Sequence, residues 1–345
     1  MNHSENIAPY IIPFAERLKT IDHDIPGLDN YCKAYLAHLL QHSRYYTEIY
    51  SQVLAVLLTH SEKEKSSITL VDYGAGNGLL GLFAKFCGFK KVYINDINES
   101  FIKAATSLSL ILNIPVDGFI TGDISDVKNY FNVHDRPTAI AGTDVIEHVY
   151  NLNDLFKGIR SLNENMVTVF TTGANAHNWF KAKAIKKQQL FDEYTGGALA
   201  ENILSGSGNS PAFFITRKEI IQSVNAELNE EEITMLAKAT RGMMKADIID
   251  VTNLYITDKK IPALPRHPSN TCDPLSGSWA ERLLTIDEYK QIYRSAGFEL
   301  KQYDGFYNSY EHTFKSLLLR VANGLITVGG KTFAPAITIA GFSKK

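Results

Sequence analysis

Short apolar segments that alternate with helical stretches dominate the middle of the chain. They are apolar on both faces and too short for buried helices, which favours parallel strands covered by helices on each side. The predicted strands are ITLVDY (68–73), KVYIND (91–96), GFITGD (118–123), TAIAGTD (138–144) and MVTVFTT (166–172). The pattern predicts an α/β fold with a doubly wound, Rossmann-like sheet.

The flanking regions follow other patterns. Apolar residues at steps of three and four from Tyr46 to Leu57 predict a helix before the sheet. After residue 172 the alternation stops, and two later strands, FELKQYD (298–304) and PAITIAGF (335–342), bring the predicted sheet to seven strands. Capping boxes at Thr216 with Glu219 and at Thr285 with Glu288 predict helix starts, and Asn98 is predicted to cap the helix after the second strand.

These patterns divide the chain into four predicted regions. They are a helical N-terminal cap (1–65), a Rossmann-like core (66–172), an inserted substrate or lid region after the fifth strand (173–284) and a C-terminal completion of the sheet (285–345). The insertion makes the chain longer than a minimal Rossmann-like domain and leaves the identity of its substrate open.

Composition narrows the possible classes of protein. The 345 residues carry 35 Lys+Arg against 37 Asp+Glu, a formal net charge of −2, so no broad basic surface favours nucleic acid. No apolar run reaches the roughly 18 residues of a membrane helix, and we expect no membrane partner. The three cysteines are far apart without a CxxC pair, which favours a reducing cytoplasm over a disulfide scaffold.

The segment VDYGAGNGLLG (Val71–Gly81) is the most informative in the chain. It follows a predicted strand and precedes a predicted helix, the context that a nucleotide-binding glycine turn requires. A dinucleotide fingerprint counted from Gly74 would need glycine at position 79, which is Leu79. Asp72 would repel a pyrophosphate but would attract the ammonium group of S-adenosylmethionine (SAM). The glycines of the turn are Gly74, Gly76 and Gly78.

An acidic residue lies at the end of each of the first four predicted strands. After Asp72 these are Asp96, Asp123 and Asp144. Asp96 can accept both hydroxyls of a ribose, although a nicotinamide-binding protein also has an acid there. Asp123 is positioned to accept from an adenine amino group, with Ile124 as an apolar wall. Clustered carboxylates repel one another, so we expect a cationic ligand to relieve the repulsion.

Several motifs together resemble the class I SAM-dependent methyltransferases. They are VDYGAGNG, the acidic end of YIND, the pair Gly122-Asp123 and DVIEHV (144–149), the last resembling ubiquinone-biosynthesis-type and related small-molecule methyltransferases. The resemblance covers residues 66–175, and the two returning strands match the antiparallel end of the family's sheet.

The resemblance implies SAM as cofactor and S-adenosylhomocysteine (SAH) as product. It implies that Asp72 and the three glycines surround the methionine part, and that Asp96 lies on the ribose. It also implies Asp123 and Ile124 at the adenine, and Asp144 and Val145 beside the transferring methyl group. We count Ile97, next to Asp96, among the cofactor-binding residues as well.

Catalytic and substrate residues are less strongly indicated. His148 is the nearest candidate for a general base, with a structural role for it left open. Glu147, His177 and His267 are candidate substrate residues. We predict no metal, because no second carboxylate accompanies Asn175 near Asp144.

The leading hypothesis is a cytoplasmic methyltransferase acting on an oxygen or nitrogen of a small molecule. The alternatives are a catalytically silent SAM-binding sensor or scaffold, and, less favoured, an RNA or protein methyltransferase. The glycine spacing disfavours a nicotinamide-dependent oxidoreductase. The sequence GGKT (329–332) lacks the spacing of a phosphate-binding loop and predicts a hairpin turn. Oligomeric state stays open.

Overall fold

The computed structural model describes residues 6–196, 211–263, 267, 269–310 and 314–343. The chain divides into two compact units. The first comprises Met1–Ile146, Asn151–Asn178 and Thr285–Lys345, and the second comprises Glu147–Tyr150 and Trp179–Leu284. Among the described helices, none is both long and apolar enough to cross a membrane.

The first unit contains a seven-stranded sheet, counted over the described residues. Its strands are β1 (Thr69–Tyr73), β2 (Lys91–Asp96), β3 (Gly118–Thr121), β4 (Ala139–Thr143), β5 (Val167–Thr172), β6 (Glu299–Asp304) and β7 (Ile337–Phe342). The order across the sheet is β3-β2-β1-β4-β5-β7-β6. Strands β1 to β5 are parallel, and β7 is antiparallel to both of its neighbours.

Helices precede, separate and follow these strands. In the first unit they are α1 (Ile11–Leu18), α2 (Asn30–Gln41), α3 (Ser43–Ser61), α4 (Leu79–Phe86), α5 (Glu99–Ile111), α6 (Ile124–Tyr130), α7 (Leu152–Leu162), α12 (Ile286–Ser295) and α13 (Phe314–Gly329). In the second unit they are α8 (Trp179–Tyr194), α9 (Phe213–Val224), α10 (Glu230–Ala239) and α11 (Lys245–Asp258).

The strand order reverses between β1 and β4. The chain moves outward from β1 through β2 to β3, then returns to the other side of β1 with β4. In open parallel sheets, ligands bind outside the carboxyl ends of the strands at such a switch point. The glycine turn follows β1 and Asp144 follows β4, so both lie at this point of the sheet edge.

The core of the first unit joins the N-terminal helices to the sheet. Leu36 of α2 and Val53, Leu54 and Leu57 of α3 are fully buried, in one apolar cluster with β-strand residues such as Val169. Burial of a Leu or Val side chain contributes roughly 1.5–3 kcal/mol each. The helical N-terminal segment is therefore an integral layer of this unit.

The second unit has a separate apolar core. Ile221, Leu236 and Ile248, one from each of α9, α10 and α11, are fully buried together. Beside this core the buried guanidinium of Arg217 donates to the carboxylate of Glu193, which also accepts from the Thr271 hydroxyl at 2.7 Å. A buried charge needs such partners, so this network fixes the position of α8 against α9.

The structure confirms the predicted seven-stranded, doubly wound α/β sheet. Each strand lies within two residues of its predicted bounds. The capping box of Thr285 with Glu288 and the cap at Asn98 are confirmed. The box predicted at Thr216 is wrong, because α9 begins at Phe213 and Thr216 lies inside it.

The prediction of a hairpin turn at GGKT is also wrong. Gly329 is the last residue of α13, and Gly330–Thr332 form one turn of 3-10 helix before β7. The sequence analysis did not predict α13, because the glycines at 324, 329 and 330 favour a turn over a helix.

Candidate active site

The glycine turn between β1 and α4 has a backbone that suits glycine. The φ angles of Gly74, Gly76 and Gly78 are +63°, +54° and +76°, in the left-handed region that other residues rarely adopt. A Cβ on Gly74 would lie 2.2 Å from Cγ2 of Val145. The turn therefore packs tightly against the residue that follows Asp144, and the two neighbouring strand ends are in direct contact.

Asp72 lies buried beneath this turn. Its Oδ2 accepts a hydrogen bond of 2.7 Å from the backbone N–H of Gly81, in the first turn of α4. Burial raises the pKa of Asp72 to about 7, although the Gly81 bond lowers it, and the negative charge of Asp96 adds to the increase. Asp72 therefore braces the turn from the inside and contributes a negative potential there when it is ionised.

Asp96 connects the end of β2 to the glycine turn. Its Oδ2 accepts from the N–H of Gly76 at 2.8 Å, and its Oδ1 accepts from the N–H of Asn98 at 2.9 Å. Burial raises the pKa of this carboxyl, and the backbone bonds oppose that change. Each carboxylate oxygen can accept a further bond. Ile97 follows with an exposed side chain.

Asp123 caps a helix two residues beyond the end of β3. The prediction that it ends the strand is wrong, since β3 ends at Thr121. Its side chain accepts from the N–H of Ser125 at 2.7 Å and forms a capping box with Asp126. Ile124 is half-buried and packs against Gly158 of α7, where an added Cβ would lie 2.7 Å from Ile124 Cγ1.

Asp144 and Val145 follow β4 at the switch point. Asp144 is exposed and has a φ of +52°, and its N–H donates to the carbonyl of Thr171 at 3.1 Å. A residue other than glycine in this conformation is uncommon. The conformation turns the chain sharply where β4 ends and brings Val145 over Gly74.

Tyrosines of α2 and α3 surround the position of Asp144. Burial raises the pKa of Tyr46 to about 12, and the Asp144 charge adds to the increase. The same two causes, in the same order, raise the pKa values of Tyr35 and Tyr45. A Cβ on Gly76 would lie 3.1 Å from Cε1 of Tyr35, so this ring covers the turn.

Tyr35 was not predicted as a site residue, although the sequence contains a signal for it. Tyr31 and Tyr35 are four residues apart on α2, stack with ring centroids 6.3 Å apart, and both meet Phe101 edge-on. The sequence alone could have indicated an aromatic pair with this spacing next to the buried face of a helix. The position of Tyr35 over Gly76 could not be predicted, because it depends on packing between distant segments of the chain.

Backbone N–H groups are partners for three of the four acids at the sheet edge. Asp72, Asp96 and Asp123 each accept at least one backbone N–H within the fold. Such bonds stabilise the charged form and offset the repulsion between carboxylates. Three of the four acids thus have partners within the fold, so their clustering alone is a weak argument for a cationic ligand.

His148 and Glu147 belong to the second unit. The Nδ1 of His148 lies 2.8 Å from the carbonyl oxygen of Trp279, which only an N–H can approach in this way. This bond assigns the proton to Nδ1, while Nε2 lies 3.9 Å from a carboxylate oxygen of Glu281. Glu147 is buried, and its carbonyl accepts from the N–H of Arg282 at 3.0 Å.

His177 has a structural partner in the first unit. Its Nε2 accepts from the N–H of Ile286 at 3.1 Å, at the start of α12. Burial lowers the pKa of His177, and the nearby Lys331 charge lowers it further. The ring therefore helps to cap α12 as a neutral acceptor, and the Nε2 lone pair is already in use.

His267 and the potential metal ligands complete the predicted set. His267 is half-buried, and residues 264–266 and 268 around it lie outside the described part of the chain. The amide of Asn175 donates to the carbonyls of Lys331 and Ala334, at 2.8 Å each. Within the described residues, no three His, Cys, Asp or Glu side chains form a group that could hold a metal ion.

Comparisons with known proteins give matches among solved structures. No family model matches the chain, and no curated protein matches it. Magnesium protoporphyrin IX methyltransferase from Synechocystis PCC 6803, with bound SAH, is 10% identical, covering 89% of this chain and 87% of its own with a TM-score of 0.40.

Two further solved structures are similar to this chain to about the same degree. The CurJ carbon methyltransferase is 11% identical, covering 98% of this chain and 68% of its own, with a TM-score of 0.43. A SAM-dependent methyltransferase from Archaeoglobus fulgidus is 14% identical, covering 90% and 99%, with a TM-score of 0.41. The function of this chain has to be argued from its own side chains.

Proposed function

We propose that this protein is a class I SAM-dependent methyltransferase that acts on an oxygen or nitrogen of a small molecule. The observation that carries the proposal is the buried Asp72 directly beneath the glycine turn. A negative charge there opposes the pyrophosphate of a dinucleotide and favours the ammonium group of SAM. The three glycines permit the left-handed backbone of the turn and its close packing under Val145 and Tyr35.

The remaining contacts follow from the positions of the strand ends. Asp96 has the capacity to accept both ribose hydroxyls while its two backbone bonds hold it in place. Asp123 and Ile124 are proposed at the adenine, and the exposed side chain of Ile97 beside the ribose. Asp144 and Val145 are proposed next to the sulfonium, whose positive charge Asp144 would stabilise.

When bound, SAM supplies a methyl group activated by its positively charged sulfur. The protein's contribution is to align the acceptor with that group and to keep water out. Tyr35 and Tyr46 support this role, since both phenols are near Asp144 and Tyr35 covers the turn. A base is needed only if the acceptor must lose a proton.

His148 is the proposed base for such an acceptor. Its Nδ1–H donates to the carbonyl of Trp279, so Nε2 is the basic nitrogen and can take a proton. His177 stays a candidate substrate residue, although its Nε2 lone pair already accepts from the N–H of Ile286. Glu147 and His267 stay candidate substrate residues.

The acceptor class can be tested with tritium-labelled methyl-SAM. We expect the protein to transfer label into the small-molecule fraction of a cell extract, and not into the RNA or protein fractions. Asp96→Ala should lower transfer at subsaturating SAM, in proportion to its weaker cofactor binding. The matched control is Asp135→Ala, which removes an exposed acid that pairs with Lys91 at the opposite end of β2.

Each alternative gives a different result in this experiment. Label in RNA or protein would replace the small-molecule acceptor with a macromolecule. SAM binding without transfer of label to any fraction would contradict the proposed enzymatic activity and would support a SAM-binding sensor. Unchanged transfer by a His148→Ala variant would remove His148 as the base and leave the rest of the proposal in place.

A further inference from the structure

Helix α13 carries its large apolar side chains on the outside of the first unit. Phe314 is 77% exposed, Val321 62% and Val328 89%. Leu317, Leu318 and Leu325 are also exposed. We call these six residues the α13 stripe. Their steps of three and four residues place them on one helical face, which in a water-soluble helix normally faces the core.

Polar contacts fix the orientation of this helix. Asn323 lies on the opposite face, where its Oδ1 accepts from the N–H of Tyr307 at 2.7 Å and its Nδ2 donates to the carbonyl of Tyr307 at 3.1 Å. Ser316 on the same side is buried. The side of the helix that carries Asn323 and Ser316, with the half-buried Leu319 and Ile326, thus faces inward and leaves the α13 stripe outward.

Every charged residue within α13 and the turn after it is basic, and Asp304 lies beside that turn at Gly330. From Phe314 to Phe333 the sequence contains Lys315, Arg320 and Lys331 and no acidic residue, although the whole chain has a net charge of −2. A second copy of the chain would bring its own cations against these and would offer no acid from this helix. An anionic surface complements both the charge and the apolar stripe.

We propose that the α13 stripe docks the protein on an anionic membrane surface. The 16 residues of α13 span about 24 Å, less than a bilayer core, so the helix lies along the interface and does not cross it. The expectation of no membrane partner rested on the lack of a spanning segment, which does not test this arrangement. The inference does not depend on methyl transfer.

Helix α8 in the second unit independently carries the same chemistry. Trp179 is 63% exposed and Phe180 is 76% exposed. No acidic residue lies between them and Asp192 in the sequence. The lysines at 183, 186 and 187 are exposed on the same helix. Aromatic residues combined with lysine are typical of helices that bind anionic lipid surfaces.

Vesicle sedimentation of the full chain tests the proposal. We expect the protein to sediment with vesicles of phosphatidylglycerol and phosphatidylcholine, and much less with phosphatidylcholine alone. Val321→Asp combined with Val328→Asp should lower partitioning by roughly tenfold or more, because both side chains leave the apolar interface. Arg320→Gln should weaken binding to the anionic vesicles and reduce its sensitivity to salt.

A matched variant separates the stripe from a general effect of charge. Leu110→Asp combined with Val133→Asp replaces two equally exposed apolar residues of the first unit and adds the same charge. This control should partition as the wild type does. An environment-sensitive dye on Val321→Cys should shift to shorter emission wavelength with anionic vesicles, and the same dye on Val133→Cys should not.

Three results would overturn the proposal. One is the absence of sedimentation with anionic vesicles at low salt. Another is an equal loss in the stripe variant and in its matched control, which would indicate repulsion by added charge alone. The third is a dimer that dissociates in the stripe variant while lipid binding is unchanged, which would assign the stripe to a second copy of the chain.

Discussion

Asp72 is the residue at which stability and the proposed function oppose each other. The carboxyl is buried beneath the glycine turn, and burial raises its pKa to about 7 from the usual 3.8. At neutral pH the folded protein therefore has to hold either a proton or a poorly solvated charge at this position. A bound ammonium group would favour the charged form, which is the form proposed to attract SAM.

The variant Asp72→Asn should separate the two effects. The folded pKa lies above the unfolded pKa, so the proton on Asp72 favours the folded state most fully below 3.8, and this contribution is lost as the pH rises through about 7. Between about pH 4 and pH 8, the free energy of unfolding of the wild type should therefore fall relative to the variant, by up to about 4 kcal/mol.

Denaturant unfolding at several pH values measures this difference. The asparagine side chain in the variant would keep an oxygen for the Gly81 N–H, so the turn should survive while SAM binding becomes weaker. A stability difference that does not change with pH would show that Asp72 is not a buried titrating group. Unchanged SAM affinity in the variant would separate the buried charge from cofactor binding.

At the scale of elements, the turn between β1 and α4 joins two strand ends. The positive φ of Gly74 and its contact with Val145 are separate reasons for glycine there. Gly27 offers a matched comparison, since it has a φ of +83° and no atom within 4 Å of an added Cβ. Only strain from the backbone conformation acts at Gly27, whereas a steric clash adds to it at Gly74.

Gly74→Ala should therefore destabilise the protein more than Gly27→Ala. We expect about 1 kcal/mol at Gly27 from the left-handed backbone, and about 2–4 kcal/mol at Gly74 because overpacking adds to it. Unfolding in urea gives both values. A second substitution, Val145→Ala, should recover part of the loss at Gly74 and none at Gly27. Equal losses at the two glycines would contradict the packing described here.

The strands and several helix ends could be predicted because their signals are local. Short apolar runs indicated the seven strands, and the cap residues Asn98 and Thr285 indicated helix starts. The failures have physical reasons. Thr216 has the sequence of a capping box, but apolar burial from Phe213 starts α9 earlier. Helix α13 was missed although its apolar residues recur at helical steps, because Gly324 weakens the helical signal and the pair Gly329-Gly330 favoured a turn.

At the scale of the whole molecule, how well a site residue could be predicted depends on how far away in the sequence its partner lies. The glycine turn and Asp96 follow directly from β1 and β2, so the sequence predicted their place at the sheet edge. The partner of His148 is Trp279, 131 residues away, and that of His177 is Ile286, 109 residues away. Contacts of this range depend on the complete fold and left both histidines ambiguous from sequence.

The division of the chain into two compact units also could not be predicted from local sequence patterns. The short segment Glu147–Tyr150 follows β4 in the chain but packs with Trp179–Leu284. The predicted base and one candidate substrate residue, Glu147, are therefore anchored in the second unit, whereas the proposed cofactor residues all lie in the first. Cofactor binding can accordingly be tested through the first unit's residues alone, in the full chain.

Calorimetric titration of the full chain with SAM, SAH and NAD tests the central claim most directly. We predict that SAM and SAH bind with a Kd of roughly tens of micromolar or tighter and that NAD does not bind. Asp96→Ala should weaken SAM binding by about 1–3 kcal/mol, with Asp135→Ala unchanged. No heat with SAM at these concentrations, or binding of NAD in its place, would contradict the account.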